Sequence, residues 1–303
     1  MTHHQRYSLP QPAQQRQTKS TKDVLKLSLV GVFVLVSVLI LANALINKGD
    51  DANPSATGSL ADQSDGEESA NDVGQGPQPA QLPPAVPDKL GELPPGGAYT
   101  EKGSGDYRVV GKPGAKFGKG TERTYTYVVE VEDTIDAANF GGGDAFAAMI
   151  DATLSNPKSW IRDERFAFEH VDANKVKDPD FRFQLSRAQT THEVCGNNYQ
   201  LETSCFYPIG DRVMINESRW VRGATPYEGD LGGYRQYVIN HELGHGIGYE
   251  EHQPCDGEGN LAPVMMQQTL SLKNSDLYGI DPNEVYKDNN DVCRPNPWPY
   301  PRG

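Results

Sequence analysis

The sequence predicts a layered domain of the α+β or α/β kind, a sheet packed on at least two helices, carried behind one membrane helix and a disordered tether. Three observations lead there. Leu27–Ile46 is an uncharged apolar run of bilayer length. Asn47 to about Gly97 is rich in Pro, Gly, Ser and acid and has no aromatic residue. Beyond it, β-branched and aromatic segments alternate with helix-period ones. Charge follows the same divisions. Met1–Lys48 holds six basic residues and one acid (+5), Gly49–Thr100 one and nine (−8), and the rest 21 and 31 (−10), which sum to the net −13 of the 303-residue chain. So acidic a protein repels phosphate backbones, and no nucleic-acid partner is expected.

Leu27–Ile46 has twenty residues, of which only Ser28, Ser37 and Asn43 are polar. At about 1.5 Å rise per residue such a helix covers roughly 30 Å, one hydrocarbon core. A soluble helix would carry a polar stripe, and this run has none. Arg6, Arg16, Lys19, Lys22 and Lys26 precede it, and Asp50 and Asp51 follow. The positive-inside rule therefore keeps residues 1–26 in the cytoplasm and sends the remainder across as a single-pass protein of the cell membrane. The alternative is secretion after cleavage near Ala44, because Ala42-Asn43-Ala44 has the small-x-small form of a signal-peptide site. The long leader and the apolar residues past that site favour an uncleaved anchor. Residues 47–98 bury too little apolar surface to offset the entropy of ordering, and acidic self-repulsion with proline pairs extends them into a tether.

The folded part is read as residues 99–303, enough chain for one real core. Thr121–Val131, TERTYTYVVEV, is β-branched and aromatic with partial alternation, a strand. Phe140–Leu154 opens on glycines and continues as a helix with Phe146, Met149, Ile150 and Leu154 on one side. Phe166–Val171, Phe181–Leu185 and Arg212–Ile215 follow as short strands, and a second helix runs from about Gly229 to Gly248. All four cysteines lie in this part. Outside the cytoplasm an even count favours two disulfides. Of the three pairings, Cys195–Cys205 with Cys255–Cys293 closes plausible local loops, and no C-x-x-C spacing offers thiolates to zinc.

The chemistry concentrates in His241-Glu242-Leu243-Gly244-His245. Histidines four apart project from one helix face, a spacing that suits two corners of a zinc tetrahedron. Glu242 beside them is placed to act as general base on a water. Ile239, Leu243 and Ile247 form a stripe roughly opposite, by which the helix would bury itself and turn the histidines into a cleft. Three of the seven histidines fall within the twelve residues His241–His252. His170 and His192 read as ordinary strand or surface residues. Gly248 supplies a left-handed helix stop, after which the chain turns back.

Here the sequence resembles the metzincin pattern H-E-x-x-H-x-x-G-x-x-H with its later Met-turn, for which Pro263-Val264-Met265-Met266 stands. The third position of that pattern falls on Glu251, and His252 comes one residue later. The resemblance implies His241, His245 and His252 as zinc ligands, with Glu251 as the alternative third ligand. More widely, ETSCFYPIGDRVMINESRWVRGA, GDLGGYRQYVINHELGHGIGYEEHQPC, APVMMQQTLSLK and CRPNPWPYP resemble a family of actinobacterial, membrane-anchored proteins labelled a domain of unknown function and treated as zincin-like, over roughly Gly103 to Pro301. That resemblance implies a zincin or metzincin-like metalloprotease fold, a twisted mixed sheet packed on an active-site helix and a backing helix.

The expected function is thus a membrane-anchored, extracytoplasmic zinc metalloprotease acting on a peptide or protein substrate in the cell envelope, with Zn2+ as cofactor and Glu242 as general base. The alternatives are a non-catalytic, zinc-stabilised peptide- or envelope-binding module and a zinc amidase acting on cell-wall material. Tyr249 is a candidate for stabilising an oxyanion, and a cleft-edge strand near Arg212–Ile215 a candidate for pairing with substrate. Two further motifs are set aside. Gly111–Thr121, GKPGAKFGKGT, lacks phosphate-loop spacing and reads as a turn-rich connection. Asp281–Asp291 does not fit an EF-hand and reads as a solvated loop.

Overall fold

The computed structural model describes residues 89–136, 140–197 and 200–302. The predicted tail 1–26, the apolar run 27–46 and residues 47–88 of the tether lie outside the described residues. Among the described residues no helix is long and apolar enough to cross a membrane.

The sheet is built around β3 (Arg123–Glu132), ten residues long. Its alternation sends Tyr127, Val129 and Val131 into the main core, and β5 (Phe181–Ser186) and β7 (Arg212–Asn216) extend that layer with Phe183, Leu185, Val213 and Ile215. β4 (Phe166–His170) runs parallel to the first half of β3, β5 runs parallel to the second half, and β7 runs parallel to β5. Short antiparallel strands finish the borders: β2 (Lys116–Gly118) on β4, and β6 (Cys205–Tyr207) on β7. The order is β2-β4-β3-β5-β7-β6, with β1 (Tyr107–Val109) antiparallel to the end of β3. Parallel neighbours need long connections. α1 (Gly143–Leu154) lies in the one from β3 to β4, and α2 (Ala188–Cys195) in the one from β5 to β7.

On the core face, Phe146, Ile150 and Leu154 of α1 meet Tyr234, Tyr237, Val238 and Ile239 of α4 (Leu231–Gly246). The stripe Ile239, Leu243 and Ile247 is buried as expected. The expectation of a one-sided helix is corrected, because α4 is buried on every side from Tyr237 to Gly244. Ser159, Trp160 and Pro297 close over its far side, with hydrogen bonds from Ser159 Oγ to Asn240 Oδ1 (2.7 Å), from Trp160 Nε1 to the Asn240 carbonyl (2.9 Å) and from Asn240 Nδ2 to the Pro297 carbonyl (2.9 Å).

The opposite face of the sheet is also covered, and its carboxylates are paired. Glu130 accepts from Arg182 and Gln184, and Glu132 from the Gly105 and Arg187 amides and the Thr190 hydroxyl. Such pairing is what lets charge persist at buried strand positions. It also explains why alternation in β3 is only partial.

Three other readings are corrected. The folded region starts earlier than residue 99: α3 (Glu217–Arg222) carries Arg219, fully buried, whose guanidinium donates to the carbonyls of Gly91, Glu92 and Glu202. Composition had placed residues 89–98 in the tether. The connection Gly111–Thr121 contains β2. Finally, Arg212–Ile215 is not an edge strand, because β7 is paired on both sides, and β6 forms that edge. Both expected disulfides are present, Cys195–Cys205 and Cys255–Cys293, with Cα separations of 6.0 and 5.7 Å. The second belongs to a smaller apolar cluster with Met266, Leu270, Tyr286 and Leu277 of α5 (Asn274–Ile280).

Candidate metal centre

α4 starts where the Asp230 carboxylate accepts the Gly233 amide (2.8 Å), a side-chain N-cap. It ends in a Schellman turn: the Tyr249 amide donates to the Gly244 carbonyl (2.9 Å) and the Gly248 amide to the His245 carbonyl (3.2 Å), with Gly248 at φ 105. Only glycine takes that angle without Cβ strain. The turn sends the chain back past the helix end to His252.

His241, His245 and His252 each offer one ring nitrogen, and the three atoms lie within 4.8 Å of one another. Their ring centroids are 4.9, 5.4 and 5.2 Å apart. Every Nδ1 already has a partner. His241 Nδ1–H donates to the Val264 carbonyl (2.8 Å), His245 Nδ1–H to the Tyr249 carbonyl (3.0 Å), and His252 Nδ1–H to Glu284 Oε2 (3.2 Å). A donating Nδ1–H leaves Nε2 with the lone pair, so each ring keeps one ligating atom. Burial holds the His241 imidazole well below its ordinary pKa, with charge on His245 and His252 acting the same way. Burial and His252 bring His245 down to about 4. Both rings are neutral near pH 7, as a ligand must be.

Glu242 is 4% exposed, and burial pushes its carboxyl up to about 8, opposed by the Phe206 amide of β6 facing it. Of the two candidates for the third position, His252 joins the cluster, while Glu251 is exposed and lies outside it. Of the paired methionines, Met265 belongs to the core around α4 and Met266 to the smaller cluster. A Cβ on Gly244 would lie 2.5 Å from Met265 Sδ, so that sulfur sits against the helix between the two histidine positions.

Tyr249 does not present its ring to the cluster. It stacks on Trp160 (4.7 Å between centroids), and only its carbonyl serves the site. Sequence reading missed Glu284 and Tyr286, which lie in the segment read as a solvated loop. Glu284 holds His252, while Tyr286 is buried, stacks 6.1 Å from His252 and accepts the Gln267 amide (2.9 Å). The apolar pair Val285-Tyr286 within an acidic run was the available signal.

A family model described as "Protein of unknown function (DUF3152)" matches residues 93–301, most of the chain. No curated protein and no solved structure matches it.

Proposed function

The chain belongs to the DUF3152 family, whose description assigns no activity, and from its own site we propose that it is a zinc-dependent peptidase of zincin or metzincin type. The observation that carries this reading is the convergence of three histidines, each with Nδ1 engaged, beside Glu242. The donor set fits the metal. Nitrogens around tetrahedral zinc, at bonds of about 2.0–2.1 Å, are roughly 3.4 Å apart, so atoms within 4.8 Å need only small ring rotations. Three protein ligands also leave the fourth position open, as in hydrolytic rather than structural zinc sites.

His241, His245 and His252 would hold the ion, while the Val264 and Tyr249 carbonyls and Glu284 keep the rings oriented. When bound, zinc supplies Lewis-acid activation of water and of a substrate carbonyl. Burial alone favours the protonated Glu242 carboxyl, and a cation held by the three histidines would favour its ionised form, in which it would take the proton from the attacking water and return it to the leaving amine. The Met265 sulfur beneath Gly244 supports the helix that carries both histidines. The two disulfides support a site outside the cytoplasm, and the run at 27–46 supports a membrane anchor.

The rival reading, a zinc-stabilised binding module without catalysis, draws on the burial of His241 and Glu242, which limits access from solvent. The two are separated by incubating the intact chain with a mixed peptide library, with and without chelator, alongside Glu242→Gln. A peptidase loses hydrolysis under chelation, and Glu242→Gln cuts it by roughly two to four orders of magnitude while keeping zinc. Hydrolysis undiminished in Glu242→Gln overturns the catalytic assignment.

A further inference from the structure

β6 is an edge strand, and its register decides which way its peptide groups point. The Asn216 amide of β7 points towards β6, where it meets Ser204 Oγ (3.1 Å). Peptide groups alternate in direction along a strand, so Met214 and Arg212 point the same way and carry the ladder bonds to Cys205 and Tyr207. Phe206, opposite Val213, is left with its N–H and C=O on the free edge. Its ring shows what that edge faces. A Cβ on Gly246 would be 3.0 Å from the Phe206 ring, so the ring lies on α4 one turn after Glu242, on the same helix face. The Phe206 amide accordingly faces the Glu242 carboxyl.

β6 is held by a three-residue ladder on one side, by the Phe206 ring and by a disulfide. Cys205, next to Phe206, is bridged to Cys195, the last residue of α2. Both are half-buried, whereas Cys255 and Cys293 are only 1% and 3% exposed. We infer that Phe206 is a positioning residue for Glu242 and that the Cys195–Cys205 bridge puts it under redox control. Closed, the bridge keeps β6 against Glu242; reduced by a dithiol, it lets the strand loosen and catalysis weaken while the histidine site stays loaded. This regulates the proposed metal centre and so rests on that reading. In the exchange one thiolate of the dithiol attacks a bridge sulfur, and its second thiol then displaces the mixed disulfide. Cys195 and Cys205 end as two thiols, having gained two electrons and two protons, and the dithiol leaves as its own disulfide. Access selects this bridge over the buried one. Zinc is expected to stay because the partners of the three histidines, Val264, Tyr249 and Glu284, all lie outside β6.

The test uses the intact chain. In the zinc-free protein, residue-resolved hydrogen exchange reads the Phe206 amide without reference to activity. Glu242→Ala removes the acceptor and should speed that exchange roughly tenfold; the paired variant Cys195→Ser/Cys205→Ser should do the same while α4 amides keep their protection. In the zinc-loaded protein the paired variant should keep about one zinc and lower kcat roughly tenfold with KM little changed, the loss expected for one hydrogen bond to a charged group. Phe206→Pro deletes the N–H and should turn over roughly tenfold more slowly than Phe206→Ala, which loses the ring but keeps the N–H. Limited reduction with a phosphine followed by alkylation should label Cys195 and Cys205 before Cys255 and Cys293. Phe206 exchange that ignores Glu242→Ala, or equal kcat in the proline and alanine variants, overturns the positioning role. Loss of zinc in the paired variant, unchanged Phe206 exchange in it, or earlier labelling of Cys255 and Cys293 overturns the redox control. If no form hydrolyses any peptide, the peptidase reading fails, and the exchange result alone decides whether β6 holds Glu242.

Discussion

Substituting Gly244, the residue between the two helical histidines, tests whether Met265 buttresses the site. A Cβ at Gly244 would lie 2.5 Å from Met265 Sδ and 2.9 Å from Trp160 Cζ2, distances at which something must move. Overpacking of this kind costs about 1–3 kcal/mol. Against it stands the helix preference for alanine over glycine, about 0.8–1.0 kcal/mol. Gly244→Ala should therefore destabilise by roughly 1 kcal/mol net, or about 2–4 °C for a domain of this size. Gly232→Ala, in the first turn of the same helix, is the internal control. Its Cβ would meet only Asp230 Oδ1 at 3.5 Å, ordinary contact, so the propensity gain stands alone and the variant should be more stable than wild type by several tenths of a kcal/mol. Urea unfolding followed by tryptophan fluorescence reads both. In a Met265→Ala background the Gly244→Ala penalty should shrink to the part that the Trp160 contact imposes, a coupling on the order of 0.5–1 kcal/mol in the double-mutant cycle. If Gly244→Ala matches Gly232→Ala, or the cycle shows no coupling, Met265 does not press on the helix and the buttress is wrong.

Elemental analysis should find about one zinc per chain, greatly reduced by alanine at His241, His245 or His252 and unchanged in Glu251→Ala; an emptied site in Glu251→Ala would shift the ligand register by one residue. Opening Cys255–Cys293, which spans 38 positions, should cost more stability than opening Cys195–Cys205, which spans 10: chain entropy gives about 4 against about 2.7 kcal/mol. Chemical unfolding of the two paired serine variants checks that ranking, and equal losses would refute the entropic reason for it. Protease added to intact cells should remove the folded region and leave a short membrane-held fragment. A mature protein beginning at Leu45 would instead establish cleavage after Ala44.

What was legible in the sequence, and what was not, divides along local against long-range causes. β3, β4, β5, β7 and the two long helices came from periodicity within their own residues, and each lies within a few residues of its expected bounds. The histidine pair at four-residue spacing is likewise local. The missed elements owe their form to partners far away. β6 is three residues long and exists by pairing with β7, and the short helices α2, α3 and α5 are too brief to show a period. Residues 89–98 have tether composition, yet Arg219, some 127 positions on, holds their carbonyls. Glu284 is the same case at the site. Nothing in an acidic loop announces that one carboxylate will orient a histidine 32 positions earlier.

The one-residue departure of His252 from the expected spacing has a cause of the same long-range kind. Counting from Gly248 fixes only where the helix stops, and the chain beyond Tyr249 is free to place either Glu251 or His252 near the pair. The choice is made by the loop at residues 263–266. Its Val264 carbonyl holds His241 Nδ1, its Met265 side chain lies under Gly244, and its Met265 carbonyl accepts the Gln253 amide at 3.0 Å. That last bond pins the residue directly after His252 to the same loop that supports the first histidine. With Gln253 fixed there, residue 252 faces the cluster and residue 251 faces solvent. The register of the third position is thus set by a hydrogen bond across the site. A change that detaches Gln253 from Met265, such as Gln253→Pro, which removes the amide donor, should therefore lower zinc occupancy while Glu242 and the helical pair stay in place. Unchanged zinc content in Gln253→Pro would show that the loop does not set the register.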